Sequence, residues 1–143
     1  MGLEIRVCAA DDLVVGSAKE VVRAASMVSW VLLFEGERWC HIERVVVALV
    51  DDEIVGLASL SQQDAASNDI PEIVGVWVRP EYRRQGIGTK LVNALSEEAQ
   101  RLYQEAPRIV GVSTAGAALA RYVARHGVNV DVIDIGITSN VLD

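Results

Sequence analysis

The stretch "VWVRPEYRRQGIGTKL", residues 76–91, joins a run of branched and aromatic residues to a run that repeats at helical spacing. On its left, "PEIVGVWV" (71–78) has the apolar character of a buried strand, and it stops where Pro80 has no N–H to give a ladder. On its right, Ile87, Leu91, Leu95, Ala99 and Leu102 fall on one helical stripe, while Asn93, Glu97, Glu98 and Arg101 face away. Between the two, Arg79, Arg83, Arg84 and Lys90 surround Gly86 and Gly88, with Glu81 the one acid among them. The whole chain has 13 Lys and Arg against 20 Asp and Glu. A cationic strand–turn–helix in an acidic chain asks for an anion.

The turn is equipped to hold one. Gly86 and Gly88 lack a Cβ, so a phosphate can approach the backbone closely. The first helical turn has N–H groups without intrahelical partners, here Gln85 through Thr89, and Thr89 adds a hydroxyl. The helix dipole contributes roughly 0.3–1 kcal/mol toward an anion, and the geometry suits a pyrophosphate. Two familiar phosphate loops do not fit. The order Gly-Ile-Gly-Thr-Lys is not that of G-x-x-x-x-G-K-[ST], and Leu91 stands where a dinucleotide fingerprint needs its third glycine.

Outward from the turn, "LEIRVCA" (3–9) alternates as a first strand. Asp11 or Asp12 caps a helix with Leu13, Ala18, Val21, Val22 and Ala25 at helical spacing. Residues 27–42 fit either a buried helix turn or a strand. "RVVVALV" and "EIVGLASLS", separated by Asp51 and Asp52, read as a hairpin, and "QQDAASND" as a loop. After Pro107, "RIVGVST" is a strand, "AGAALARYVARHG" a helix ended by Gly127, and "VNVDVIDIGIT" a last strand or short hairpin. Antiparallel strands precede crossover units, so the expected fold is α+β: one domain, residues 1–143, with a mixed sheet flanked by helices.

"VRPEYRRQGIG" closely resembles the acetyl-CoA signature of the GNAT superfamily of acyl-CoA-dependent N-acyltransferases, with Val78, Pro80, Tyr82, Arg83, Gly86, Ile87 and Gly88 in place. The element order is similar to that family from "IRVCAADD" to "VARHGV". The resemblance implies a partly splayed sheet in which backbone groups of Val76 and Val78 hold the pantetheine arm. It implies that the N–H groups of Arg84, Gln85, Gly86, Ile87 and Gly88, with Thr89, hold the pyrophosphate, while Arg83 and Arg84 balance phosphate charge. Acetyl-CoA is then the cosubstrate, and the reaction is direct acetyl transfer to a primary amine in a ternary complex without a metal.

Such a transfer needs a neutral amine, hence a base. Glu72 opens the strand before the turn, six residues ahead of Val78, where members of the resembled family carry a general base. It is equally readable as a strand-end glutamate in water. The family's acid is a tyrosine four residues before the glycine that ends the last helix. Here that position is Val123 and the tyrosine is Tyr122. One residue rotates a helical side chain by about 100°, so Tyr122 reaches a thiol only if the helix ends in a wider turn or the register differs. Tyr122 is otherwise a core tyrosine, and Ser113 and Thr114 are weak substitutes for the family's asparagine. The competing reading is a catalytically degenerate acyl-CoA-binding or interaction module. A third is a structural domain whose glycines only turn the chain.

The remaining features are ordinary. With 143 residues, 51% apolar residues and a formal charge of −7, the chain is a folded protein with no general affinity for nucleic acid or anionic membranes. Cys8 and Cys40 form no framework, no signal peptide is legible, and "MVSWVLLF" is too short to span a bilayer; a cytoplasmic protein is expected. Cys40-His41 lacks a second ligand pair, and His126 sits well as a cation in a last helical turn. Trp30, Phe34 and Trp39 lie in the region that resembles the family's acceptor-binding helices, and Asp64 and Asp69 could meet a cationic acceptor. The acceptor is a small-molecule or peptide amine, and both a monomer and a homodimer are compatible with the sequence.

Overall fold

Asp51 and Asp52 both adopt left-handed backbone, with φ of 50° and 67°, as a two-residue type I′ hairpin demands. They join β2 (His41–Val50) to β3 (Glu53–Gln62) in the computed structural model, which describes residues 2–25, 41–62, 71–111 and 114–134. β1 (Leu3–Ala9) pairs antiparallel with β2, and β4 (Pro71–Val78) pairs antiparallel with β3. β5 (Arg108–Gly111) and β6 (Asp131–Asp134) then add in parallel, giving a mixed six-stranded sheet in the order β1-β2-β3-β4-β5-β6 among the described residues. The α+β class is as read from the sequence, and β1, β4 and the hairpin stand where the patterning put them.

Among the described residues three helices cover the sheet. α1 (Leu13–Ala25) is capped by Asp12, whose Oδ1 accepts from the Val14 N–H at 3.0 Å. It packs on one face through Val15, Ala18 and Val22, against Val45, Val47, Leu49, Leu57 and Trp77. Leu13 and Ala25, expected in that stripe, are not part of it: Leu13 is 91% exposed. It directly follows the cap, two residues and so about 200° round the helix from Val15, on the side away from the stripe Val15–Ala18–Val22 that meets the sheet.

α2 (Ile87–Tyr103) and α3 (Thr114–Arg125) share the opposite face. Ile87, Leu91, Val92, Leu95 and Ala99 of α2 lie over Val46, Ala48, Val55, Ala58, Leu60 and Ile73, with Ala120 and Val123 of α3 closing the cluster. At Gly56 an added Cβ would stand 3.0 Å from the Trp77 carbonyl oxygen and 3.3 Å from Leu91 Cδ1, so only glycine lets the start of α2 lie this close to the sheet. Ser96 Oγ donates to the Asn129 carbonyl at 2.6 Å and ties α2 to the segment after α3.

Glu98 corrects the sequence reading, which placed it on the outer face of α2. It is buried, and its carboxylate accepts from Arg44 Nε at 3.0 Å and from Arg101 Nη2 at 2.6 Å. The hydrogen bond from Arg101 holds the Glu98 carboxyl below the usual carboxylate range, with Arg44 adding to it and burial opposing. A depressed carboxylate contributes stability that is complete above its unfolded value, about 4.3, and is lost as pH falls through the folded value. Arg101 is largely exposed, so solvent screens its share. We expect Glu98→Ala, which leaves Arg44 without this acceptor, to cost about 1–3 kcal/mol at neutral pH. Urea melts should separate variant from wild type at pH 7 and bring the two together as pH falls through the lowered value of the Glu98 carboxyl.

Candidate functional site

β4 and β5 touch only briefly. Their register holds at Glu72–Arg108 and Ile73–Ile109 and goes no further, while β4 runs on to Val78. The cause lies on the other side of β4, where the pairing with β3 steps from Leu60–Ile73 to Ser59–Gly75 and leaves Val74 as an extra residue. A bulge of this kind bends the strand. Among the described residues nothing pairs with the β5-side edge of β4 from Gly75 to Val78, where the sequence placed Val76 and Val78. Both side chains pack toward α2, and Trp77 packs toward α1.

At the end of β4 the chain makes a single 3₁₀ turn, Pro80–Tyr82, and then enters α2. Arg84 and Gly86 are left-handed, with φ of 65° and 82°, while Gln85 between them is not. Alternation of this sort turns successive N–H groups toward one side, which is the backbone form of an anion site. Gly86 is the N-cap of α2 and no side chain caps the helix, so the N–H groups of Ile87, Gly88 and Thr89 have no capping acceptor. Nothing lies within 4 Å of where a Gly86 Cβ would stand. A Gly88 Cβ would point at Leu119 of α3 (3.7 Å) and at Val78 Cγ2 (3.9 Å). The turn therefore lies where β4, α2 and α3 meet, beside the unpaired edge of β4.

The arginines divide their work. The Arg79 N–H donates to the Val55 carbonyl at 2.7 Å and its Nη2 to the Ile54 carbonyl at 2.9 Å, so this side chain fastens the turn to β3. Arg83 Nε donates to the Val78 carbonyl at 2.8 Å, which engages the last carbonyl of β4. Arg84, Gln85 and Lys90 are exposed and Thr89 is half-buried. The donors, the uncapped helix start and the open space at Gly86 fit a diphosphate.

Glu72 is half-buried on β4, one residue before Ile73, whose side chain packs toward α2 and α3; alternation sends Glu72 to the α1 face. Its strand neighbours are Ser61 and Arg108, and Ser61 Oγ makes a long contact of 3.5 Å to the Glu72 carbonyl. Four residues of extended chain separate it from Val76, about 13 Å at most.

Tyr122 is not the core tyrosine that its helical position suggested. It is 45% exposed, and its ring stacks on His126 at 3.9 Å. Val123 beside it is buried. The wider helical turn that would bring Tyr122 round is absent: Gly127 takes φ 86°, and the Val128 N–H returns to the Val123 carbonyl at 3.0 Å, an ordinary glycine-terminated end. His126 places Nδ1 at 2.8 Å from the Tyr122 carbonyl. Cys8 is a buried thiol, raised by that burial. Trp30, Phe34, Trp39, Cys40, Asp64, Asp69 and Ser113 lie outside the described residues, as do the side chains of His41 and Thr114. Among the described residues no helix is long and apolar enough to cross a membrane.

Comparison with known proteins bears on this site. The family model described as "Acetyltransferase (GNAT) family" matches residues 19–128. No curated protein matches the chain by sequence. Among solved structures, a predicted acetyltransferase with acetyl-CoA from Clostridium acetobutylicum is similar at TM-score 0.57 and 14% identity, covering 88% of this chain and 89% of that one. A putative acyl-CoA N-acyltransferase from Klebsiella pneumoniae is similar at TM-score 0.57 and 21% identity, with 87% and 81% covered. A GNAT family N-acetyltransferase from Escherichia coli in complex with CoA is similar at TM-score 0.55 and 17% identity, with 72% of this chain and 60% of that one covered. These likenesses are of fold, and the family match spans most of the chain. With its opened β4 edge and its uncapped, glycine-led α2, the chain belongs to the GNAT acetyltransferase family.

Proposed function

We propose that the chain is an acetyl-CoA-dependent N-acetyltransferase that acetylates a primary amine directly, in a ternary complex. The observation that carries this reading is the uncapped start of α2, led by left-handed Arg84 and Gly86 and set against the open edge of β4. Acetyl-CoA supplies a thioester. The pyrophosphate is held by the N–H groups of Arg84 through Gly88, with Thr89, and Arg83 and Arg84 balance its charge. The pantetheine arm lies along the backbone of Val76 and Val78. Glu72 takes the proton from the acceptor ammonium, directly or through water. The amine nitrogen would then bond to the acetyl carbon and the carbon–sulfur bond break, the second proton shed by the nitrogen passing to the departing thiolate, which leaves as the free thiol.

One observation favours a second reading. The position that would carry the acid is taken by buried Val123, with Tyr122 one residue off it, so a chain that binds acyl-CoA without turning it over is the alternative. A thermal-shift titration with acetyl-CoA and coenzyme A tests the cradle. Ligand at 100 times its Kd adds about 2.7 kcal/mol, and no shift would remove both readings. A panel of primary amines, followed by release of free thiol, separates them: thiol release above the rate without amine supports the enzyme, and binding without release supports the alternative.

A further inference from the structure

β1 pairs with β2 on one side, and among the described residues nothing pairs with its other side. Proteins blunt a free edge with proline, charged side chains, a bulge or brevity. LEIRVCA has no proline, its register with β2 runs without a shift, and its two charges, Glu4 and Arg6, neutralise each other. Val7 is left 41% exposed, although its neighbours on the same face, Leu3 and Ile5, pack against the α2 cluster. On the opposite face Glu4 and Arg6 form an ion pair of 2.8 Å, with side chains 51% and 46% exposed.

We propose that β1 docks a second copy of this chain, the two β1 strands pairing antiparallel about Ile5. A twofold axis at Ile5 sets Ile5 opposite Ile5, Leu3 opposite Val7, and Glu4 opposite Arg6, in both directions. The apolar face gains a continuous strip that covers Val7. The polar face gains a checkerboard of two acids and two bases, each charge directly opposite its counter-charge. Moving the axis to Glu4 or to Arg6 would set like charges face to face, so the sequence selects one register. This is an isologous contact, in which one patch serves both subunits. β6, at the other edge of the described sheet, has four residues with acids at Asp131 and Asp134 and offers a copy of itself no opposite charge.

The test is sedimentation velocity over a rising concentration series for wild type, Glu4→Arg and Arg6→Glu, with circular dichroism to confirm that each folds. Wild type should shift toward a dimer as concentration rises. Each single variant should dimerise roughly tenfold to a hundredfold more weakly, because two symmetric pairs turn from attraction to repulsion. A one-to-one mixture of the two variants should recover the dimer, since arginines of one copy then face glutamates of the other. A wild type that stays monomeric, variants that dimerise as wild type does, or a mixture no better than its components would each overturn the proposal.

Discussion

Gly86→Val is expected to abolish binding of acetyl-CoA while leaving the fold intact. The backbone at Gly86 has φ 82°, a region that costs a β-branched residue of order 1–3 kcal/mol in strain. Two outcomes are open to the variant, and both harm the cradle. If φ keeps its value, the valine side chain occupies the space in front of the α2 N–H groups, where no protein atom lies within 4 Å of the Cβ position. If φ relaxes, Arg84 and Gly86 no longer alternate with Gln85, and the N–H groups of Ile87 to Thr89 lose their common aim. A pyrophosphate held by several charge-assisted hydrogen bonds then loses most of them, each worth about 1.5–3 kcal/mol. Isothermal titration should show at least a hundredfold loss of affinity. Unchanged affinity would mean that the turn is structural and the anion is held elsewhere.

Glu72→Gln should leave coenzyme binding intact and lower turnover of an amine acceptor by roughly 10²–10⁴. Glutamine keeps the size of the side chain, so Glu72's place on β4 beside Ser61 and Arg108 is preserved. What goes is the capacity to accept a proton. The defect should shrink as pH rises toward the acceptor's own pKa, about 10.4 for a lysine-like amine, because free base then forms without help. Tyr122→Phe is the comparator. Its ring stacks on His126 in solvent, and loss of the hydroxyl from that position should change turnover by less than about tenfold, far below what removing a general acid would cost. A large defect in Tyr122→Phe with a small one in Glu72→Gln would reverse the assignment of roles.

The strands were legible because their patterns are local. β1 and β4 begin and end where alternation, Pro71 and Pro80 say they should, and Asp51-Asp52 announces its hairpin. The cradle was legible for the same reason, since glycines, strand and helix start lie within one run of sequence. What depended on distant partners was hidden. Glu98 looked like an outer-face residue because Arg44, which accounts for its burial, lies 54 positions away. Leu13 looked like core because it is apolar, although it lies about 200° round the helix from Val15, away from the stripe that meets the sheet. The bulge at Val74, which parts β4 from β5, is marked in an otherwise continuous apolar run only by the neighbouring Gly75, a signal the strand reading passed over. The displacement of Tyr122 was visible by counting back from Gly127, but only the structure shows that the helix ends without compensating for it.

The brief seam between β4 and β5 also governs how the molecule comes apart. Among the described residues its two pairs are the sheet's own link from β5, α3 and β6 to the antiparallel half, the rest of the join being packing under α2 and the Ser96–Asn129 hydrogen bond. Regions held by few contacts open at lower free energy than the global transition, and amide exchange reports the difference. Exchange should therefore split the chain into two cooperative units. The meander from β1 to β4 is expected to exchange only through complete unfolding, and β5 and β6 through a cheaper opening along the seam. A ligand lodged against the open edge of β4 would slow the second unit before it slowed the first. Its protection pattern would be that of a strand added to a sheet that had stopped short.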